Sequence, residues 1–145
     1  MNAAEGTVQK FLKGLGRELT PHFHTTDFDC RCKRQDCTET LIDSVMVAGL
    51  EILVIKFPML RIDSGHRCAA HNREVGGVPD SQHCLGKASD VSSLFVDPHE
   101  IYIAAERINC FENGGMGLYP TFCHLDNRGK KARWGLKTRG IKGDI

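Results

Sequence analysis

The sequence predicts a small, single α+β domain in which a short, mostly antiparallel sheet is flanked by helices. Three observations carry this. The stretch TLIDSVMVAGLEILVIKF (40–57) places Ile42, Met46, Leu50, Leu53 and Phe57 on one apolar stripe, with Thr40 and Asp43 as a capping pair and Pro58 as a stop. Asp97, Pro98 and Glu100 open a second helix running to about Phe111, with an N-cap, a first-turn proline and an acid that complements the helix dipole. MLRIDSG (59–65), KASDV (87–91) and GLYPTFCHLDNRG (117–129) alternate apolar and polar residues as strands do.

The other segments are read from their punctuation. In TVQKFLKGLGREL (7–19), Val8, Phe11, Leu12 and Leu15 fall at helical spacing, weakened by Gly14 and Gly16, which predicts a short docking helix within an N-terminal segment 1–20. PHFHTTDFDCRCKRQDC (21–37) is a polar, cysteine-rich loop that needs a local organiser, and HRCAAHNREVGGVPDSQH (66–83) is a loop long enough to carry function. RGKKARWGLKTRGIKG (128–143) holds seven Lys and Arg; it reads as a solvated stretch ending in a basic tail, 135–145, able to contact a polyanion. The body of the domain is 21–134.

Composition narrows the function. The 145 residues carry 19 basic and 18 acidic side chains, net charge +1, so no extended basic surface for nucleic acid is expected. No apolar run reaches bilayer-spanning length, so no membrane insertion is expected either. The N-terminus lacks the charged and apolar regions of a signal peptide, which predicts synthesis in the cytoplasm. Seven cysteines cannot all pair internally, and a reducing compartment favours thiols or metal ligands over staples.

The chemistry concentrates around DSQHCLGKASDV (80–91) and the later CHLD (123–126). Gly86 permits a turn after His83, and a strand through 87–91 paired with 121–126 makes Asp90 and His124 neighbours on one sheet face. Phe122, His124 and Asp126 share that face, and Cys123 and Leu125 the other. Two neutral imidazoles and a carboxylate form a zinc site with one open position, the arrangement of a catalytic centre. Histidines satisfied by backbone or solvent are the competing reading.

The pattern SGHRC.AHN..VGG.P.SQH..GKASD, followed by GMGLYPTFCHLDNRG..ARW, closely resembles the zinc-dependent D-alanyl-D-alanine carboxypeptidase family over roughly residues 21–134. That family includes phage and bacterial peptidoglycan peptidases, and its fold is shared with the hedgehog signalling domain. The resemblance implies His83, Asp90 and His124 as ligands of a catalytic Zn²⁺, and Arg67 as the arginine beside the metal, whose fixed fork suits a substrate carboxylate or scissile carbonyl. It implies peptidoglycan stem peptides as substrate, either a terminal D-alanine or an internal bond.

Relatives often carry Asp or Glu three residues before the last zinc histidine, where this chain has Thr121. Asp126, two along the strand from His124, becomes the candidate for handling protons, with orientation of a ligand histidine as its equal alternative. Tyr119 and His66 are weaker candidates, and Ser81 and Gln82 shape the loop. Cys30, Cys32 and Cys37, spaced C-x-C-x4-C, offer thiolates for a second, structural zinc completed by Cys68 or a nearby histidine, although the spacing fits no standard ribbon and free buried thiols compete. A monomer is expected, acting on the cell wall after release by lysis machinery or carried in a virion. A non-catalytic wall-binding or phage structural protein of the same fold is the rival reading, and Thr121 sustains it.

Overall fold

A computed structural model describes residues 7–135. Its elements run β1 (Val8–Leu12), β2 (Glu18–Thr20), β3 (Phe23–His24), a 3₁₀ turn (Thr25–Phe28), β4 (Glu39–Asp43), α1 (Ser44–Lys56), β5 (Arg61–Ser64), α2 (Ala69–Glu74), β6 (Ala88–Ser92), α3 (Pro98–Ala105), α4 (Asn109–Glu112), β7 (Gly115–Leu118), β8 (Cys123–Asp126) and β9 (Ala132–Gly135). The main sheet has the order β5-β6-β8-β7-β9, antiparallel except for the parallel β7–β9 edge, and two small two-stranded sheets flank it. The predicted α+β architecture is the one found. No helix among the described residues is long and apolar enough to cross a membrane.

The alternation within β6 and β8 separates core from site. Val91, Cys123 and Leu125 join Met46, Leu50, Leu53, Ile101 and Phe111 from the helices in one apolar core. Asp90, His124 and Asp126 project from the opposite face. Cys123 donates to the Pro98 carbonyl on the helix side, and burial pushes its thiol up to about 12, so it is remote from the site chemistry.

Several sequence expectations are corrected. The docking helix at 7–19 is a strand, β1, paired antiparallel with β4, followed by a turn at Gly14 and Gly16, both with positive φ. The apolar stretch is too short to nucleate a helix before those glycines, and pairing satisfies its backbone groups. The helix expected from residue 40 begins at Ser44, because 39–43 forms β4; Asp43 alone is the N-cap, and Thr40 instead donates its hydroxyl to Asp29. The helix from Asp97 breaks after Ala105 and resumes at Asn109. Residues 117–129 form most of a hairpin, β7 to β8, closed by a Tyr119 N–H to Phe122 carbonyl bond, rather than one strand.

The basic stretch from 128 is partly structured. Arg133 forks onto Glu106 at 2.9 Å and onto the Gly114 and Glu112 carbonyls, which fastens β9 to the sheet edge. Most of the predicted tail, 136–145, lies outside the described residues, as do residues 1–6.

Asp43 links three segments. Its carboxylate accepts from the Met46 N–H, from Asn127 Nδ2 at 2.7 Å and from the Thr7 hydroxyl, while fully buried. Asp43→Ala removes a helix cap and leaves the buried Asn127 amide without this acceptor. A loss of about 2–4 kcal/mol is expected, read as a lower urea midpoint with an unchanged m-value.

Candidate metal centre

His83 is delivered by the turn that precedes β6. Ser81 Oγ accepts from the His83 N–H, and the His83 carbonyl accepts from the Gly86 and Arg67 N–H groups. Gly86 sits at φ 78°, and a Cβ there would lie 2.5 Å from the Leu41 carbonyl oxygen, so the turn requires glycine. Asp90 and His124 are opposite each other in the β6–β8 ladder, the pairing the sequence predicts.

The hydrogen bonds fix which ring nitrogens are available. His83 Nδ1 lies 2.7 Å from the Gly65 carbonyl, which can only accept, so Nδ1 carries the proton and Nε2 presents a lone pair. His124 Nε2 donates to Asp126 Oδ2 at 2.7 Å, leaving Nδ1 with the lone pair. Both free nitrogens face Asp90 Oδ1, each at 3.2 Å.

Three acceptors thus converge, an arrangement that requires positive charge among them. A tetrahedral zinc with bonds of about 2.0–2.1 Å has ligand-to-ligand edges of about 3.3 Å, close to the separations found. The residues fit the ion. The same demand for positive charge acts on the side chains themselves: burial pulls the His124 pKa down, but Asp126 and Asp90 outweigh it and raise the value. Burial likewise opposes ionisation of Asp90, yet His124 and His83 hold its carboxyl well below the usual range.

Arg67 stands beside this group. Its Nη2 is 3.2 Å from Asp90 Oδ2, its Nε bonds Ser64 Oγ and its Nη1 bonds Asn72 Oδ1 at 3.0 Å. Asn72, buried on α2, also donates to the Val78 carbonyl, so one amide ties the guanidinium to the 75–80 loop.

Asp126 is saturated with donors. Oδ1 accepts from the Gly115 and Arg128 N–H groups and from Arg128 Nε, while Oδ2 accepts from His124 Nε2 and, at 2.8 Å, from Arg128 Nη2. It is fully buried; burial alone would raise its pKa, but His124 and Arg128 depress it.

The group opens into a cleft of about 620 Å³. One wall is aromatic: Tyr119 stacks on Phe122 at 4.4 Å, Trp134 Nε1 donates to the Tyr119 hydroxyl, and the Trp134 ring lies 5.0 Å from that of His124. Arg128 lies 5.0 Å over the indole. Gly117 makes room for this wall, since a Cβ there would come 2.4 Å from Trp134 Nε1. Asp80 is on the rim, and apart from Asp90 it is the one carboxylate among the residues lining the cleft.

Three of the residues carried here by the expected motif thus converge with Arg67, and Asp126 stands behind His124. Thr121 is exposed in the hairpin loop and does not line the cleft. His66 is buried outside the cleft lining, where burial lowers its pKa. Sequence reasoning gave no role to Asn72, Arg128 or Trp134. All three fall inside the quoted motif stretches, but Arg128 and Trp134 were masked by the basic composition around them, and a parallel edge strand leaves no local turn signal.

Two histidines and an aspartate converge at the base of an open cleft, a group of three that could hold one metal ion and leave a coordination position open. A family model described as Peptidase M15 matches residues 21–126, and the chain belongs to that family, the zinc D-alanyl-D-alanine carboxypeptidase-like peptidases. No curated protein and no solved structure gives a significant match.

Proposed function

We propose that the protein is a zinc-dependent peptidase that hydrolyses peptidoglycan stem peptides, as a carboxypeptidase or an endopeptidase. The observation that carries this reading is the convergence of His83 Nε2, His124 Nδ1 and Asp90 Oδ1 beside Arg67 in the cleft. His83, Asp90 and His124 would hold the ion, which would supply the Lewis acidity that acidifies water and polarises a carbonyl.

The chain's own groups do the rest. Gly65 and Asp126 lock the two imidazoles in the ligating tautomers. Arg67 orients Asp90 and gives the cleft a permanent positive charge suited to a carbonyl or carboxylate of the peptide. Arg128 adds a second cation, which favours substrates bearing a carboxylate. Gln82 Oε1 is a buried acceptor without a hydrogen-bond partner, and it lines the cleft, where a substrate N–H satisfies it. The aromatic wall excludes water from one side. Asp126 has no free lone pair directed at substrate, so it positions His124, and Asp80 is the carboxylate that accepts the proton of the attacking water.

The test is incubation of the zinc-loaded protein with purified peptidoglycan and with defined stem peptides, products being read by mass. Release of a terminal D-alanine identifies a carboxypeptidase, and cleavage within the stem or cross-link an endopeptidase. Intact substrates after full zinc loading would overturn the peptidase reading in favour of a binding module, the reading Thr121 supports.

A further inference from the structure

We propose that Cys30, Cys32, Cys37 and Cys68 form a second, structural zinc site that ties the 29–38 loop to the start of α2 and thereby braces Arg67. This goes beyond the peptidase reading and uses none of the residues of the triad.

The four Sγ atoms lie within 4.8 Å of one another. Cys30 to Cys68 is 3.8 Å and Cys68 to Cys32 is 3.9 Å. A tetrahedral zinc with Zn–S bonds of about 2.3 Å has sulfur-to-sulfur edges of about 3.8 Å, whereas a disulfide requires about 2.05 Å. The thiols therefore stand at the spacing of ligands around one ion.

Hydrogen-bond donors stand around three of the sulfurs. Cys30 Sγ accepts from the Cys68 N–H at 3.4 Å, and Cys68 Sγ accepts from the His71 N–H at 3.4 Å. Lys13 Nζ is 3.6 Å from Cys32 Sγ and also bonds the Cys32 carbonyl. Four thiolates around Zn²⁺ carry a net charge of −2, and Lys13 and these N–H donors offset it.

The fold gives the site work to do. Residues 29–38, between the 3₁₀ turn and β4, form no helix or strand. Cys30 is their only buried side chain, so apolar packing does not hold the segment. Cys68 is the N-cap of α2, directly after Arg67, and α2 carries the Asn72 that grips the guanidinium. An ion held by three loop thiols and Cys68 fixes the backbone on which Arg67 is mounted.

Metal content separates this site from the triad. Protein purified under reducing conditions without chelator is expected to hold two zinc ions per chain, His124→Ala one, and Cys32→Ser/Cys37→Ser one. The His124→Ala variant loaded with Co²⁺ is expected to show the near-ultraviolet thiolate-to-cobalt charge-transfer bands, and the double cysteine variant to lack them. The proposal falls if His124→Ala binds no metal, if it binds Co²⁺ without those bands, or if mass analysis of the wild type finds these cysteines disulfide-bonded. The His124→Ala arm decides even if the double cysteine variant does not fold. None of these readouts depends on turnover, so an inactive protein with a cysteine-bound zinc would defeat the peptidase reading and leave this one standing.

Discussion

Alanine at His124 is expected to abolish hydrolysis of a defined stem peptide, lowering kcat/KM by roughly 10³-fold or more. A bound metal contributes several kcal/mol of transition-state stabilisation, and each 1.4 kcal/mol or so is tenfold in rate. His124 supplies one of three ligand atoms and donates through Nε2 to Asp126, so its loss removes a ligand and leaves Asp90 facing a single imidazole. Added zinc is not expected to restore turnover. Steady-state kinetics paired with metal analysis checks this, and wild-type turnover in a variant that has lost the triad zinc would refute the assignment. Thr121→Ala is expected to leave kcat/KM within about twofold, since an exposed residue outside the cleft touches neither substrate nor ligands.

The triad was legible in the sequence because its geometry rests on short-range rules. Period-2 facing puts Asp90 and Val91 on opposite sides of one strand and His124 and Cys123 on opposite sides of another, and a glycine turn brings His83 back to them. Only the pairing of β6 with β8 had to be assumed. The N-terminal strand was not legible, because four apolar residues at helical spacing cannot be told from an edge strand whose partner lies some thirty residues further on. The same limit moved the start of α1: Thr40 to Asp43 satisfies a capping pattern, yet pairing with β1 outweighs local propensity.

Trp134 and Arg128 show a different limit. Their roles depend on β9 adding in parallel to β7, a contact that brings Trp134 beside Gly117. Basic residues around them signal solvation, and only the fold reveals that Arg133 and Arg128 are each held by a carboxylate. Asn72 likewise looks like an ordinary helix residue until Arg67 and Val78 are seen on its two ends.

The destination of the proton is where sequence and structure pull apart, and two substitutions separate the readings. Asp126 shares a face with His124, which made it the sequence's candidate base, but five donors from Gly115, His124 and Arg128 occupy its oxygens. A carboxylate so engaged orients its histidine. Asp126→Asn is therefore expected to weaken zinc affinity by about 10–100-fold, with kcat at saturating zinc reduced by less than about tenfold. Asp80 is exposed and lines the cleft together with Arg128. Asp80→Asn is expected to retain full zinc content and to lose about 10²–10⁴-fold in kcat, the range of a general base. Zinc titrations and kcat measured on the same preparations decide the matter. The reverse pattern, with kcat collapsing at intact zinc affinity in Asp126→Asn and Asp80→Asn unimpaired, would return the proton-accepting role to Asp126.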